Sequence, residues 1–389
     1  MHRSSDPAVS GRRVRRTAAA LALTFATAGV LVPAAPAHAA EDETPIAVSL
    51  GDSFISGEAG RWKGNSDTFT GSRDGTDRAY TGGSYDATTI YGGSYANGCD
   101  RSDSAEVISA FGAEEAVNLA CSGAKTENIL RESSGGEYFK GERPQADQLA
   151  DLAARRRIDL VVLSVGGNDL GFQDVIAACV KSYQVWSSCR SAQQKSIDSK
   201  MGAAIAGVGN ALDEIRAVMD DAGYDRSDYR IVLQSYPSPI PRASENRYPS
   251  SGWSRTTSGG CPIGDGDSNW VRDSLVPAMS ERLAEVAADR EVQFLDLQDL
   301  FQGHEVCSSA SRLATSSNAP SASTSEWARF LTTGMSQGIL RESVHPNYYG
   351  QLALGRCLAL IKDEPADESF SCHNTANQGT SGVHLAPRY

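Results

Sequence analysis

The chain has 389 residues, 22 % of them charged, and a formal net charge of -12. That balance argues against a nucleic-acid-binding protein, which presents a basic face to phosphates, and leaves small or neutral substrates open. Eight cysteines, all beyond residue 98, also argue against a reducing compartment.

The first segment reads as an export signal. Arg12, Arg13, Arg15 and Arg16 form a basic region, Thr17 to Val32 an apolar one, and Ala37-His38-Ala39 a small-x-small cleavage pattern. The alternative is a membrane anchor, which needs roughly 20 apolar residues; this run is shorter, and no later segment approaches that length. Without residues 1–39, which hold five arginines and one aspartate, about 350 residues with net charge near -16 remain. That length suits one elaborated domain or two small ones. Neither an internal repeat nor a linker divides residues 40–389, so a single domain is expected, secreted, monomeric and without stable membrane insertion.

The cysteines are Cys99, Cys121, Cys179, Cys189, Cys261, Cys307, Cys357 and Cys372. An even number in an exported chain implies disulfides, although eight cysteines allow about a hundred connectivities and spacing alone does not choose among them. A zinc site is disfavoured: no C-x-x-C pair exists, and only Cys372-His373 sets a cysteine beside a histidine.

In chain order, Pro45 to Leu50, Ala116 to Ala120, Ile158 to Val165, Tyr229 to Ser235 and Val292 to Leu297 are short apolar runs that read as buried strands. Helical periodicity covers Gln145 to Arg157, Ser196 to Ala222, Ser268 to Asp289 and Asn347 to Lys362. Strands alternating with helices predict an α/β domain with a parallel sheet covered on both faces. Residues 61–98, 236–267 and 307–325 are long polar loops with cysteines at their edges, and the stretch after Cys372 is a polar tail. In such sheets ligands bind beyond the carboxyl ends of the strands, where these loops can wall a site.

Chemistry-bearing residues fall at those strand ends. Gly51-Asp52-Ser53 follows the first run, so a helix N-terminus with free N–H groups lies under the Ser53 hydroxyl. The plain alternative is a turn with an N-capping serine. Four histidines lie beyond the signal. His373 adjoins a cysteine, His384 is in the tail and His304 follows Gln-Gly in a loop; His345, in Ser343-Val344-His345-Pro346-Asn347, precedes a helix with Pro346 suited to its first turn. His345 is therefore the best-placed base. Val165-Gly166-Gly167-Asn168-Asp169 ends the third run, where Asn168 can offer its amide or merely form a turn; Gly123, after the second run, can present its N–H.

Four ordered blocks, Gly-Asp-Ser at 51–53, Gly123, Gly-Gly-Asn-Asp at 166–169 and Val-His-Pro-Asn at 344–347, resemble the SGNH hydrolases, or GDSL lipase/esterase family, in its secreted, disulfide-bearing actinomycete branch. The resemblance spans residues 45–362. It implies a flavodoxin-like three-layer α/β/α sandwich, Ser53 as nucleophile, His345 as base, and an oxyanion hole from the N–H groups of Ser53 and Gly123 and the Asn168 amide. It also implies the pairings 99–121, 179–189, 261–307 and 357–372, and no metal or organic cofactor. The family's third triad residue is an Asp three before the His; here Glu342 stands there, so either its carboxylate or a main-chain carbonyl orients the imidazole. Asp52 and Asp169 are expected to fix their loops.

The function implied is carboxyl ester hydrolysis on a small-molecule or lipid ester, of the lipase, esterase or phospholipase A type. A second reading is an acetyl esterase of polysaccharides, with Trp62, Tyr80, Tyr85, Tyr91 and Tyr95 stacking on sugars. A third is a non-catalytic binding protein on the same fold.

Overall fold

The computed structural model describes residues 44–332 and 338–388. The export-signal reading of residues 1–39 lies outside them. No helix among the described residues is long and apolar enough to cross a membrane.

The five predicted runs form five strands: β1 (Ile46–Gly51), β2 (Ala116–Asn118), β3 (Ile158–Ser164), β4 (Arg230–Gln234) and β5 (Gln293–Asp296). Two more, β6 (Phe370–His373) and β7 (His384–Pro387), come from the stretch read as the end of the domain and a polar tail. The sheet order is β2-β1-β3-β4-β5-β6-β7, parallel except for the last pair. The first five follow the flavodoxin-like order, with its topological switch at β1.

Alternation explains why β3 reads as one unbroken apolar run. Val161 and Leu163 face one core with Ile46, Val48 and Leu233, while Leu160 and Val162 face the other with Ala47 and Val232. Both faces are buried, so neither set of positions needs to be polar. The first face is covered by α3 (Gln145–Ala153), α6 (Arg190–Asp221) and α7 (Val276–Asp289). The second is covered by α2 (Glu106–Phe111) and α8 (Tyr348–Ile361). Three short-range differences from the sequence reading have local causes. The third predicted helix begins at Asp265 and passes through a wider turn at 271–275 before α7. After the one-turn α4 (Gly167–Leu170), a thirteen-residue helix, α5 (Phe172–Gln184), was not anticipated, because only Val175, Cys179 and Tyr183 form its buried stripe. Pro346 precedes the cap of α8 instead of occupying its first turn: Asn347 is the cap, its side chain accepting from the N–H groups of Tyr349 and Gly350.

All eight cysteines are paired, 99–121, 179–189, 261–307 and 357–372, each to its sequence neighbour. They pin loop edges: the last ties α8 to β6, and the third ties the 236–267 loop to the 307–325 loop.

A buried acid on the second face adds to the pH sensitivity of the fold. Glu106 in α2 is 1 % exposed, and burial pushes its carboxyl up to about 8, with the neighbouring Gln234 amide opposing the rise. A raised carboxyl stabilises the fold fully below its unfolded pKa and loses that contribution as pH rises through the folded value. Glu106→Gln should therefore flatten the fall in melting temperature between pH 5 and 9 and raise it by about 2 °C or more at pH 9. Parallel curves for the two proteins in thermal scans would refute this.

Candidate active site

The turn after β1 is shaped by Gly51. Its φ is +142°, and a Cβ there would lie 2.0 Å from the Ser164 carbonyl oxygen, so only glycine fits. Gln145 clamps the same residue, its Oε1 accepting from the Gly51 N–H (2.7 Å) and its Nε2 donating to the Gly51 carbonyl (2.8 Å). Asp52 then caps α1 (Ser53–Ser56), accepting from the Phe54 N–H at 3.1 Å, and takes the Tyr236 hydroxyl at 2.6 Å. Burial drives the Asp52 carboxyl up to about 7 against these two hydrogen bonds, and Asp169 adds to the rise. Tyr236 in turn accepts from the Gly167 N–H, which couples the β1 turn to the β3 turn.

His345 reaches this turn from the opposite end of the chain. Its Nε2 lies 2.7 Å from Ser53 Oγ, with both residues about 95 % buried. Two main-chain bonds fix the approach: Val344 N–H to the Arg329 carbonyl and Arg329 N–H to the His345 carbonyl. Val344 has φ +60°, which a β-branched residue rarely adopts, so the segment is held in a strained conformation directly before the imidazole. Burial lowers the imidazole to about 4, opposed by the main-chain carbonyls of Ser343, Arg341 and Glu342. The ring is thus neutral at physiological pH, with a lone pair available for a proton.

The structure does not bring Glu342 to the imidazole. Its Oε2 accepts from Trp62 Nε1 (2.8 Å), its Oε1 from the Tyr91 hydroxyl (2.9 Å), and Arg61 Nη1 stands 3.7 Å away. The Arg61 and Arg329 guanidiniums cover the Trp62 ring at 4.2 and 3.7 Å. Among the described residues His345 Nδ1 has no hydrogen bond of ordinary geometry, so the main-chain carbonyls beside it are the groups placed to orient it. Glu342 anchors the His345 segment to the 61–98 loop instead. Trp62 and Tyr91 are consumed in that anchor, at 0 and 2 % exposure, and are not free to stack on sugars.

The other expected residues are placed as follows. Asn168 lines the same cavity as Ser53 and His345, and its amide donates to the Ala124 carbonyl at 2.9 Å. Asp169 holds the facing loop by accepting from Thr126 Oγ1 at 2.6 Å. Gly123 has φ +86°, a conformation glycine adopts freely, and its N–H has no acceptor among the described residues; it is not part of the cavity wall. Of the remaining histidines, His304 stacks on Trp327 at 4.1 Å, and His373 and His384 sit on the β6–β7 edge. Sequence reasoning missed Glu58: five residues after Ser53, fully buried, it accepts from Ser122 Oγ at 2.5 Å and lies 3.6 Å from His345 Nε2. Burial raises its carboxyl well above the usual range, helped by Asp100 and Glu342 and opposed by the Ser122 hydrogen bond and Lys140.

A cavity of about 730 Å³ opens beside Ser53 and His345. Its far wall is apolar, with Phe172, Val175, Ile240, Ile263, Leu275 and Leu331. The grouping that could suggest a metal, Cys179, Cys189 and Asp267, consists of a closed disulfide and a carboxylate whose oxygens already accept from the 188–190 segment.

The family model for GDSL-like lipases and acylhydrolases matches residues 49–352. The chain belongs to this family. As a GDSL hydrolase it is similar to an extracellular lipase from Streptomyces rimosus, at 20 % identity over 82 % of this chain and 99 % of that one, with a TM-score of 0.46. It is similar at 20 % identity to a phospholipase A1 from Streptomyces albidoflavus NA297, over 82 % and 98 % of the two chains, with a TM-score of 0.44. A carbohydrate acetylesterase from Sinorhizobium meliloti is similar at 13 % identity, over 68 % and 89 %, with a TM-score of 0.30. No curated protein shows significant similarity to the chain.

Glu342→Gln should separate anchoring from orienting. Removing one partner of a buried ion pair costs about 3–5 kcal/mol, so the variant should melt several degrees lower while kcat on a soluble ester falls about tenfold or less. Losing an orienting carboxylate costs about 10⁴ in turnover. A kcat loss matching that of His345→Ala, restored by Glu342→Asp, would return Glu342 to the triad.

Proposed function

We propose that this GDSL hydrolase is a secreted carboxyl ester hydrolase of the lipase or phospholipase A type. The observation that carries the reading is the 2.7 Å contact of a neutral imidazole with a serine hydroxyl at the mouth of an apolar cavity. His345 takes the Ser53 proton as Oγ attacks the ester carbonyl. The N–H group of Ser53 and the second hydrogen of the Asn168 amide receive the oxyanion; losing one such donor typically costs about 10²–10³ in kcat. The alcohol leaves with the proton from His345, and water then cleaves the acyl-enzyme by the same base. Four disulfides support an oxidising, extracellular destination.

The cavity favours this reading over an acetyl esterase. It falls in the range of roughly 300–1,000 Å³ that buries most of a drug-sized ligand, far more than an acetyl group fills. Each methylene buried is worth about 0.8 kcal/mol. With p-nitrophenyl esters, kcat/KM should therefore climb about fourfold per added methylene over the first few carbons, and octanoate should exceed acetate by at least about a hundredfold. Ser53→Ala should leave less than about 1 % of the activity and abolish labelling by a fluorophosphonate. A profile that peaks at acetate would favour the polysaccharide reading; full activity in Ser53→Ala would remove the serine mechanism.

The low proton affinity of His345 sets the acid limit. Activity requires the neutral ring, so kcat/KM should hold down to about pH 5 and fall only near pH 4. A decline centred near pH 6.5 would show that the imidazole is not desolvated in solution.

A further inference from the structure

Val185, Trp186 and Trp253 are left exposed, at 71, 63 and 55 %. Scattered exposed hydrophobics are ordinary; these three form one patch. Segments remote in sequence bring the two indoles edge to face at 6.3 Å. The Cys179–Cys189 disulfide closes the loop that carries Val185 and Trp186. Tyr183 packs against Trp186 at 6.1 Å, and its hydroxyl is shared between the carbonyls of Ser250 and Gly252, next to Trp253. Trp186 has φ +55°, an outlier for a bulky residue. The fold thus holds an exposed indole in a strained conformation beside a cross-link.

The surroundings indicate the chemistry of the partner. In a chain that is 22 % charged, residues 182–189 and 248–254 contain no charged residue. The patch itself therefore offers apolar and aromatic surface, with the exposed Lys181 and Arg190 at its margin. The patch is also small: aromatic side chains bury about 150–250 Å² each, so three partly exposed residues supply a few hundred, against about 800 Å² per partner in a stable protein interface. An indole combines an apolar ring with one polar N–H, which suits the boundary between lipid headgroups and acyl chains. Finally, α5 joins the patch to the site. It starts just after Asn168, its residues Phe172, Val175, Ile176 and Val180 line the cavity, and it ends at Gln184, directly before Val185.

We propose that Val185, Trp186 and Trp253 are the contact by which the enzyme sits on an uncharged, zwitterionic lipid surface, with α5 leading from that surface to the cavity. The proposal rests on the ester-hydrolase reading only for the identity of the cavity.

The test uses the full mature chain with vesicles of ether-linked phosphatidylcholine, which contains no carboxyl ester to cleave. The variant Trp186→Asn/Trp253→Ser keeps a residue tolerant of the left-handed conformation at 186, and Trp186→Phe/Trp253→Phe keeps the apolar rings. Wild type and the Phe pair should co-sediment with the vesicles, equally at low and high salt, and the Asn/Ser variant should partition about tenfold or more weakly. That variant should keep its melting temperature and its rate on a dispersed short-chain ester, and lose rate on an ester presented in vesicles. Equal partitioning of wild type and the Asn/Ser variant overturns the proposal. So does a wild type that ignores vesicles, including the case where the variant instead changes concentration-dependent self-association, which assigns the patch to a protein partner. Vesicle binding through the two tryptophans by a protein that cleaves no ester would leave the patch standing and remove the hydrolase reading.

Discussion

The contact between Ser53 Oγ and His345 Nε2 joins two residues 292 positions apart, and most of the unusual features of the molecule serve it. A misplacement of 1 Å in such a pair can cost about a hundredfold in rate, so both ends must be held rigidly. On the serine side the holding groups are Gly51, Gln145 and the Asp52–Tyr236 bond. On the histidine side they are Arg329, the strained Val344 and the Glu342–Trp62–Tyr91 anchor. Removing the strain at Val344 or the burial of Glu342 would loosen the one distance on which proton transfer depends.

The same burial that fixes the geometry sets the electrostatics. Desolvation keeps His345 uncharged, which frees its lone pair but withholds stabilisation from the imidazolium that must form. No carboxylate meets Nδ1 among the described residues; main-chain carbonyls stand in that place instead. On the other side of the ring the Glu58 carboxyl stands 3.6 Å from Nε2. Buried acids around the turn, Asp52 and Glu58, are raised in the same way. Burial thus disfavours charge on the groups beneath the turn as it does on the imidazole.

The long loops, unlike the sheet, have no periodicity of their own and are organised by cross-links and buried arginines. The 61–98 loop is a scaffold for the histidine more than a wall for substrate: its Trp62 and Tyr91 face inward to Glu342, and Arg61 also pairs with Asp77 at 3.0 Å. The cavity is lined instead by α5, the start of the 236–267 loop and the segment just before His345.

The sequence by itself placed the five parallel strands β1 to β5, as short apolar runs bounded by turn residues, and burial on both faces makes those at the middle of the sheet continuous. It also carries the order of the four blocks, from which the resemblance to the SGNH hydrolases implies the pairing of Ser53 with His345; the residues alone make His345 the best placed of four histidines. Only the tertiary structure decided what depends on distant partners. Strands β6 and β7 are legible only once β5 offers an edge, since they are polar on one side and held by pairing. Helix α5 was hidden because only Val175, Cys179 and Tyr183 are buried along it, while Phe172, Ile176 and Val180 line the cavity. The role of Glu342 was undecided for the same reason: a carboxylate three residues before a histidine is free to turn either way, and Trp62 and Tyr91, 280 and 251 positions away, turn it from the imidazole.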